Sequence, residues 1–170
     1  MPFWMELSFC KVYWFCFSII YLNGKLAFQK LNQMKNTISV EALVNAPIEK
    51  VWEFWTKPEH ITKWCFASDD WHAPSSSSDL KVGGKLSTRM EAKDGSFGFD
   101  FWGTYKEIKT NEKLTITMGD GRMWETNFSK ADGGTKVIEL FEAENENPVE
   151  MQKGGWQAIL NNFKIYAEAN

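Results

Sequence analysis

The chain is poor in the residues from which metal centres, disulfide frameworks and nucleic-acid surfaces are built. It has two histidines, His60 and His72, and three cysteines, Cys10, Cys16 and Cys65, in 170 residues. An odd, sparse cysteine set without CxxC spacing argues against a disulfide framework or a zinc site and fits a reducing compartment, so a cytoplasmic location is expected. With so few imidazoles a metal would have to lean on carboxylates, and no pair of ligand-type residues stands at helical or hairpin spacing around either histidine. Neither a metal nor another cofactor is expected. Lys and Arg total 19 against 22 Asp and Glu, for a net charge of −3. These cations are scattered rather than gathered into a phosphate-neutralising stripe, which speaks against nucleic acid as a partner.

Long hydrophobic runs are also scarce. The one candidate, residues 12–22 between Lys11 and Lys25, falls short of the ~20 apolar residues of a bilayer span. The start Met-Pro-Phe-Trp-Met-Glu lacks the basic opening of a secretory signal. Residues 1–33 therefore admit three readings: a weak membrane or signal segment, an extra strand or helix packed on a domain, or an upstream extension with Met34 as the natural initiator. The third accounts best for the pattern, because regular structure begins immediately after Met34. No membrane association is expected for residues 34–170, and that length suits one domain with a real core.

What the chain has in excess is aromatic: nine Trp and thirteen Phe, large flat side chains that line a core or a ligand pocket. From Thr37 to Val44 apolar residues alternate with polar ones, the period of a half-buried strand. Asn45-Ala46-Pro47 stops it, and Ile48, Val51, Trp52 and Trp55 recur at helical spacing. Pro58 opens a second short helix carrying Ile61 and Trp64. Residues 68–81 read as a short strand around Trp71 followed by a loop, with the four serines Ser75 to Ser78 at its tip.

Beyond Gly83 the turns announce themselves. Asp94-Gly95, Asp120-Gly121 and Asp132-Gly133-Gly134 each separate strand-like runs, and such pairs supply the positive φ of tight hairpins. They predict an antiparallel meander over 84–93, 96–109, 113–118, 122–130 and 135–144, with a looser turn at Thr110-Asn111-Glu112. Gly98 and Gly103 inside the longest strand predict bends or bulges that curve the sheet. After Asn147-Pro148 a helix is expected to about Ala167, with Trp156, Ile159, Leu160, Phe163 and Ala167 on one stripe. Gly154-Gly155 near its start suggests a close pass of the backbone against a strand, or a frayed first turn. The expected fold class is α+β: a curved antiparallel sheet wrapped around a long C-terminal helix, with two short helices after the first strand.

The order of elements and several local strings resemble the helix-grip superfamily, which includes START domains, the birch-pollen allergen and polyketide cyclases. The strings are APIEKVWEFWT (46–56), DWHAP (70–74), DLKVGG (79–84), RMEAKDG (89–95), FGFDF (97–101), GTY (103–105) and GWQAIL (155–160). Within the superfamily they are most similar to the C-terminal domain of the activator of heat-shock-protein-90 ATPase, over nearly all of residues 34–170. The resemblance implies a small apolar molecule bound between sheet and helix. More distantly it implies a chaperone partner and a stress-response role, or cyclase- or hydrolase-type chemistry. The separate N-terminal domain that the chaperone activator also uses has no counterpart here.

Candidate cavity-wall residues follow from the alternation: Met90, Phe99 and Phe101, Met118, and Trp124 on successive strands, with Trp156, Ile159 and Phe163 from the last helix and Trp55 from the first. Ordinary core packing competes for each, since any sheet must bury an apolar face. Trp71-His72 is the most pointed pair, because a buried imidazole beside Asp69 and Asp70 would serve as a general base or orient a polar head group. A structural histidine holding the strand would look the same. Arg89 and Asp100 are expected to pair across the meander, as a surface ion pair in the first place or else as polar fittings at a cavity mouth. Glu139, Glu142, Glu144, Glu146 and Glu150 read as a solvated acidic end. No catalytic set emerges, and a monomer or homodimer is compatible with everything above.

Overall fold

The computed structural model describes residues 37–170, and the expectations for residues 1–33, with Cys10 and Cys16, lie outside the described residues. Strand β1 (Thr37–Val44) is followed by helices α1 (Ile48–Thr56) and α2 (Pro58–Ile61). Strands β2 (Trp71–Ser78), β3 (Lys85–Ala92), β4 (Gly98–Lys109), β5 (Lys113–Met118), β6 (Met123–Ala131) and β7 (Gly134–Glu142) come next, and helix α3 (Val149–Ala169) closes the chain. The seven strands form one curled antiparallel sheet in the order β1-β7-β6-β5-β4-β3-β2, and the fold is the expected α+β helix-grip. Gly95, Gly121, Gly133 and Gly134 hold positive φ at the three anticipated hairpins, and Asn111 does so at the looser turn.

Two details depart from expectation. The serine run is strand rather than loop: Ser75 to Ser78 pair with Arg89 to Leu86 of β3. Its hydroxyls find acceptors and donors across the sheet, Ser76 Oγ with Thr88 Oγ1 and Ser78 Oγ with Tyr105 Oη, each at 2.9 Å. Cross-strand partners here override the weak strand preference of serine. Pro74 falls in the register shift between His72 and Ser75, on an edge strand where a missing N–H is tolerated. The second departure concerns curvature. The irregularity in β4 against β5 lies between Tyr105 and Glu107, not at Gly98 or Gly103. Gly103 instead permits close approach, since a Cβ there would stand 2.4 Å from Ile116 Cγ2 and 2.8 Å from the Thr117 carbonyl oxygen.

Helix α1 buries Ile48, Val51, Trp52, Phe54 and Trp55, and α3 buries Leu160, Phe163 and Ala167 against the sheet. Each large side chain so removed from water contributes roughly 1.5–3 kcal/mol. Polar contacts fix the direction of α3: Asn162 Nδ2 donates to the Phe66 carbonyl at 2.7 Å, and His60 Nδ1 meets Tyr166 Oη at 2.7 Å. The close backbone pass expected at Gly154-Gly155 does not occur. Both are helical, and a Cβ on either would meet nothing within 4 Å.

Candidate functional site

A cavity of about 250 Å³ lies between the curled sheet, the two short helices and α3. Its walls follow from the alternation of the strands: Leu86, Thr88 and Met90 from β3, Phe99, Phe101 and Tyr105 from β4, Leu114 and Ile116 from β5, and Trp124 from β6. Trp156 and Ile159 come from α3, Trp55 from α1, and Ile61, Trp64 and Cys65 from α2 and the turn after it. Phe99 is 41 % exposed, so the cavity reaches the surface on that side.

Two aromatic clusters build the walls. Trp55 stacks on Trp64 with ring centroids 4.9 Å apart, and Phe163 packs edge-on behind both at 4.6 and 5.0 Å. On the other side Trp124, Phe101 and Trp156 meet edge-to-face at 5.5–6.0 Å, with Phe141 stacked on Trp156 at 4.0 Å. Edge-to-face and offset contacts of this kind hold rings in fixed orientations.

One acid interrupts the apolar lining. Glu139 of β7, expected on a solvated end, is 2 % exposed and lines the cavity. Its neighbours Val137 and Phe141 are buried on the same face, so the strand period carries the carboxyl inward. Trp124 Nε1 donates to Glu139 Oε2 at 2.8 Å. No described cation lies within ion-pair distance, and burial pushes the carboxyl up to about 8 against an ordinary 4.5, only partly offset by the indole donor. At neutral pH it is chiefly the uncharged acid. Cys65 is a free, buried thiol pushed up to about 12 by burial and then by the Glu139 charge. It too stays uncharged. Arg122 at the β5–β6 turn is already engaged, its Nε donating to Asp120 Oδ2 at 2.8 Å and its Nη1 to the Glu142 carbonyl at 2.7 Å.

Of the residues singled out from sequence, the structure gathers Trp55, Met90, Phe99, Phe101, Trp124, Trp156 and Ile159 on the cavity wall. Met118 and Phe163 are buried but lie in the packing behind it. Trp71 sits outside, its ring 6.0 Å from that of Phe99 and 6.1 Å from that of Phe97. His72 is neither buried nor beside its neighbouring aspartates. Its side chain is 41 % exposed and its Nε2 pairs with Glu91 Oε1 at 3.2 Å across β2 and β3. An edge strand turns alternate residues to solvent, and His72 takes that side. Arg89 and Asp100 do pair, at 3.7 Å on the surface. Glu139 and Cys65 were missed as wall residues; the spacing Val137, Glu139, Phe141 held the signal for the former.

Residues 45–168 match the family described as activator of Hsp90 ATPase homolog 1-like protein. The chain belongs to that family. A solution structure of the AHSA1-like protein from Aeromonas hydrophila is 46 % identical, covers 78 % of this chain and 92 % of its own, and superposes with a TM-score of 0.74. One from Cytophaga hutchinsonii is 51 % identical over 79 % of this chain and 94 % of its own, with a TM-score of 0.69. A crystal structure from Nitrosomonas europaea shares the fold at 18 % identity, covering 78 % of this chain and 94 % of its own with a TM-score of 0.68. No curated protein matches the chain. Among the described residues no helix is long and apolar enough to cross a membrane, and no three His, Cys, Asp or Glu side chains cluster to hold a metal ion.

Proposed function

We propose that this family member binds a small apolar or amphipathic molecule in the cavity between the sheet and α3. The observation that carries the reading is the open volume itself: about 250 Å³ stays open inside a shell of buried apolar side chains. Close packing is the rule in protein interiors, so a void of this size inside an aromatic shell calls for an occupant. A dry apolar cavity of ~150 Å³ accommodates benzene, whereas pockets for drug-sized ligands begin near ~300 Å³. The occupant is thus of the size of one substituted ring or a fused pair. Family membership supports the fold and not an activity, because one fold carries many functions.

The test is a thermal-shift and tryptophan-fluorescence screen of one- and two-ring aromatics, beside native mass spectrometry of the purified protein. Trp55, Trp64, Trp124 and Trp156 line the cavity and report directly on occupancy. Ile159→Trp fills the space from the α3 side. Ligands that raise the melting temperature of the natural chain, but not of Ile159→Trp, support the reading, with a shift that grows with concentration by linkage. A screen with no shift, joined to native spectra free of any co-purified molecule, sinks it.

A further inference from the structure

Glu139 is the one acid of the cavity, and half of its hydrogen-bonding capacity is left open. Oε2 accepts from Trp124 Nε1, while Oε1 has no hydrogen-bond partner among the described residues. Nor is Oε1 sealed in the packing, because Thr126 Oγ1 is the only described side-chain polar atom that is both fully occluded and unpaired. What little surface Glu139 keeps therefore lies on the cavity it lines.

The surroundings decide its form. The other titratable groups on the cavity are Cys65 after α2, Tyr105 of β4 and Arg122 of the β5–β6 turn; α1, α3, β3, β5 and β6 present none. Cys65 is a neutral thiol, the Tyr105 phenol is raised by burial and meets Ser78 Oγ at 2.9 Å, and Arg122 is taken up by Asp120 and the Glu142 carbonyl. A buried carboxyl without a cation keeps its proton. Because Oε2 accepts from the indole, the hydroxyl role falls to Oε1, the oxygen with capacity left for a ligand.

We propose that Glu139 is the recognition group of this site: an uncharged carboxylic acid whose O–H donates to the acceptor oxygen of a small uncharged aromatic ligand, an aryl ketone, aldehyde or amide. This inference rests on the cavity-binding reading above and adds to it the chemical class of the ligand. Aryl carbonyl compounds place one acceptor on a flat apolar body, suited to an acid O–H set in an aromatic wall. An organic cation, by contrast, would require the acid to give up its proton before it could pair.

The test compares acetophenone, its apolar isostere ethylbenzene, and phenyltrimethylammonium as a fixed cation, each titrated into the full chain by NMR at pH 6.5 and 9.5. At pH 6.5 acetophenone should bind about tenfold more tightly than ethylbenzene, the value of one made hydrogen bond. At pH 9.5, with the proton gone, that preference should vanish. Glu139→Gln keeps an acceptor for Trp124 and an N–H donor for the ligand, so it should retain the preference at both pH values. Glu139→Leu should lose it at both. Equal binding of the ketone and the hydrocarbon at pH 6.5 overturns the inference while leaving a binding cavity. Preference for the cation already at pH 6.5, abolished in Glu139→Gln, overturns it in favour of a carboxylate. No binding of any probe overturns the cavity-binding reading itself.

Discussion

Trp124 and Glu139 lie diagonally across β6 and β7 and share the inward face, the indole Nε1 donating to the carboxyl Oε2 at 2.8 Å. This single donor does not offset burial, so the acid stays high, at about 8 against an ordinary 4.5. Linkage fixes the sign. As pH rises the unfolded chain loses this proton first, and between about 4.5 and 8 the folded state holds more protons. The contribution is complete below the unfolded value and is lost as pH climbs to the folded one. Stability should fall across that window by up to ~1.4 kcal/mol per pH unit, on the order of 5 kcal/mol in all. Glu139→Gln should remove this dependence. Urea unfolding at pH 5, 6.5 and 8 measures it, and parallel curves for the two proteins would show that the carboxyl does not titrate there.

Cys65 should be inert despite lining the cavity. The thiolate is the reactive form, and a thiol pushed up to about 12 holds a negligible fraction of it near neutrality. Brief treatment of the native chain with iodoacetamide at pH 8 should leave the peptide containing Cys65 unmodified by mass spectrometry, and the same treatment in denaturant should modify it fully. Rapid native labelling would contradict the burial argument.

His72 should be dispensable. It pairs with Glu91 at the surface, and Glu91 is held low first by its hydrogen bond from Arg89 and only then by His72. Exposed pairs of this kind contribute little. His72→Ala should change unfolding stability by less than ~0.5 kcal/mol and leave the affinity for acetophenone unaltered. A clear loss of binding would bring the histidine back as a site residue.

The meander was legible because its punctuation is local. A positive φ at an Asp-Gly or Gly-Gly turn is demanded by residues adjacent in sequence, and Gly95, Gly121 and Gly133 supply it where expected. The stripe Leu160, Phe163, Ala167 was legible for the same reason, as period alone decides which face of a helix is apolar. The serine strand was not, because its stability comes from Thr88 and Tyr105, twelve and twenty-seven residues away. Much of the cavity wall could be read from two-residue alternation. Its acid could not be read from composition, which counts Glu139 with the solvated glutamates around it, and only the strand phase set by Val137 and Phe141 distinguishes it.

Thr126, on β6 between Trp124 and Phe128, hides a hydroxyl that no group among the described residues satisfies. A buried unpaired hydroxyl costs about 1–3 kcal/mol. Valine has the same shape without the polar atom, so Thr126→Val should raise unfolding stability by about 1 kcal/mol. Denaturant titration checks this: the midpoint should rise at unchanged slope. A fall would mean that the hydroxyl is satisfied in solution, most simply by an internal water.

Gly154 and Gly155 sit inside α3 just before Trp156, the first cavity-lining residue of that helix. Neither has positive φ, and a Cβ on either would meet nothing within 4 Å. No packing reason in the structure requires glycine, yet each weakens the helix by up to ~1 kcal/mol relative to alanine, chiefly through backbone freedom in the unfolded chain. Gly154→Ala should therefore stabilise the domain by about 0.5–1 kcal/mol, and the double variant by up to about twice that. The same softness lowers the local stability of the first turns of α3, so local opening should be seen there first. Hydrogen exchange across residues 149–156 should be faster than across 158–166 in the natural chain, and it should slow selectively in the double variant. If the acetophenone on-rate falls with it, the glycines serve entry to the cavity; an unchanged on-rate confines their effect to helix stability.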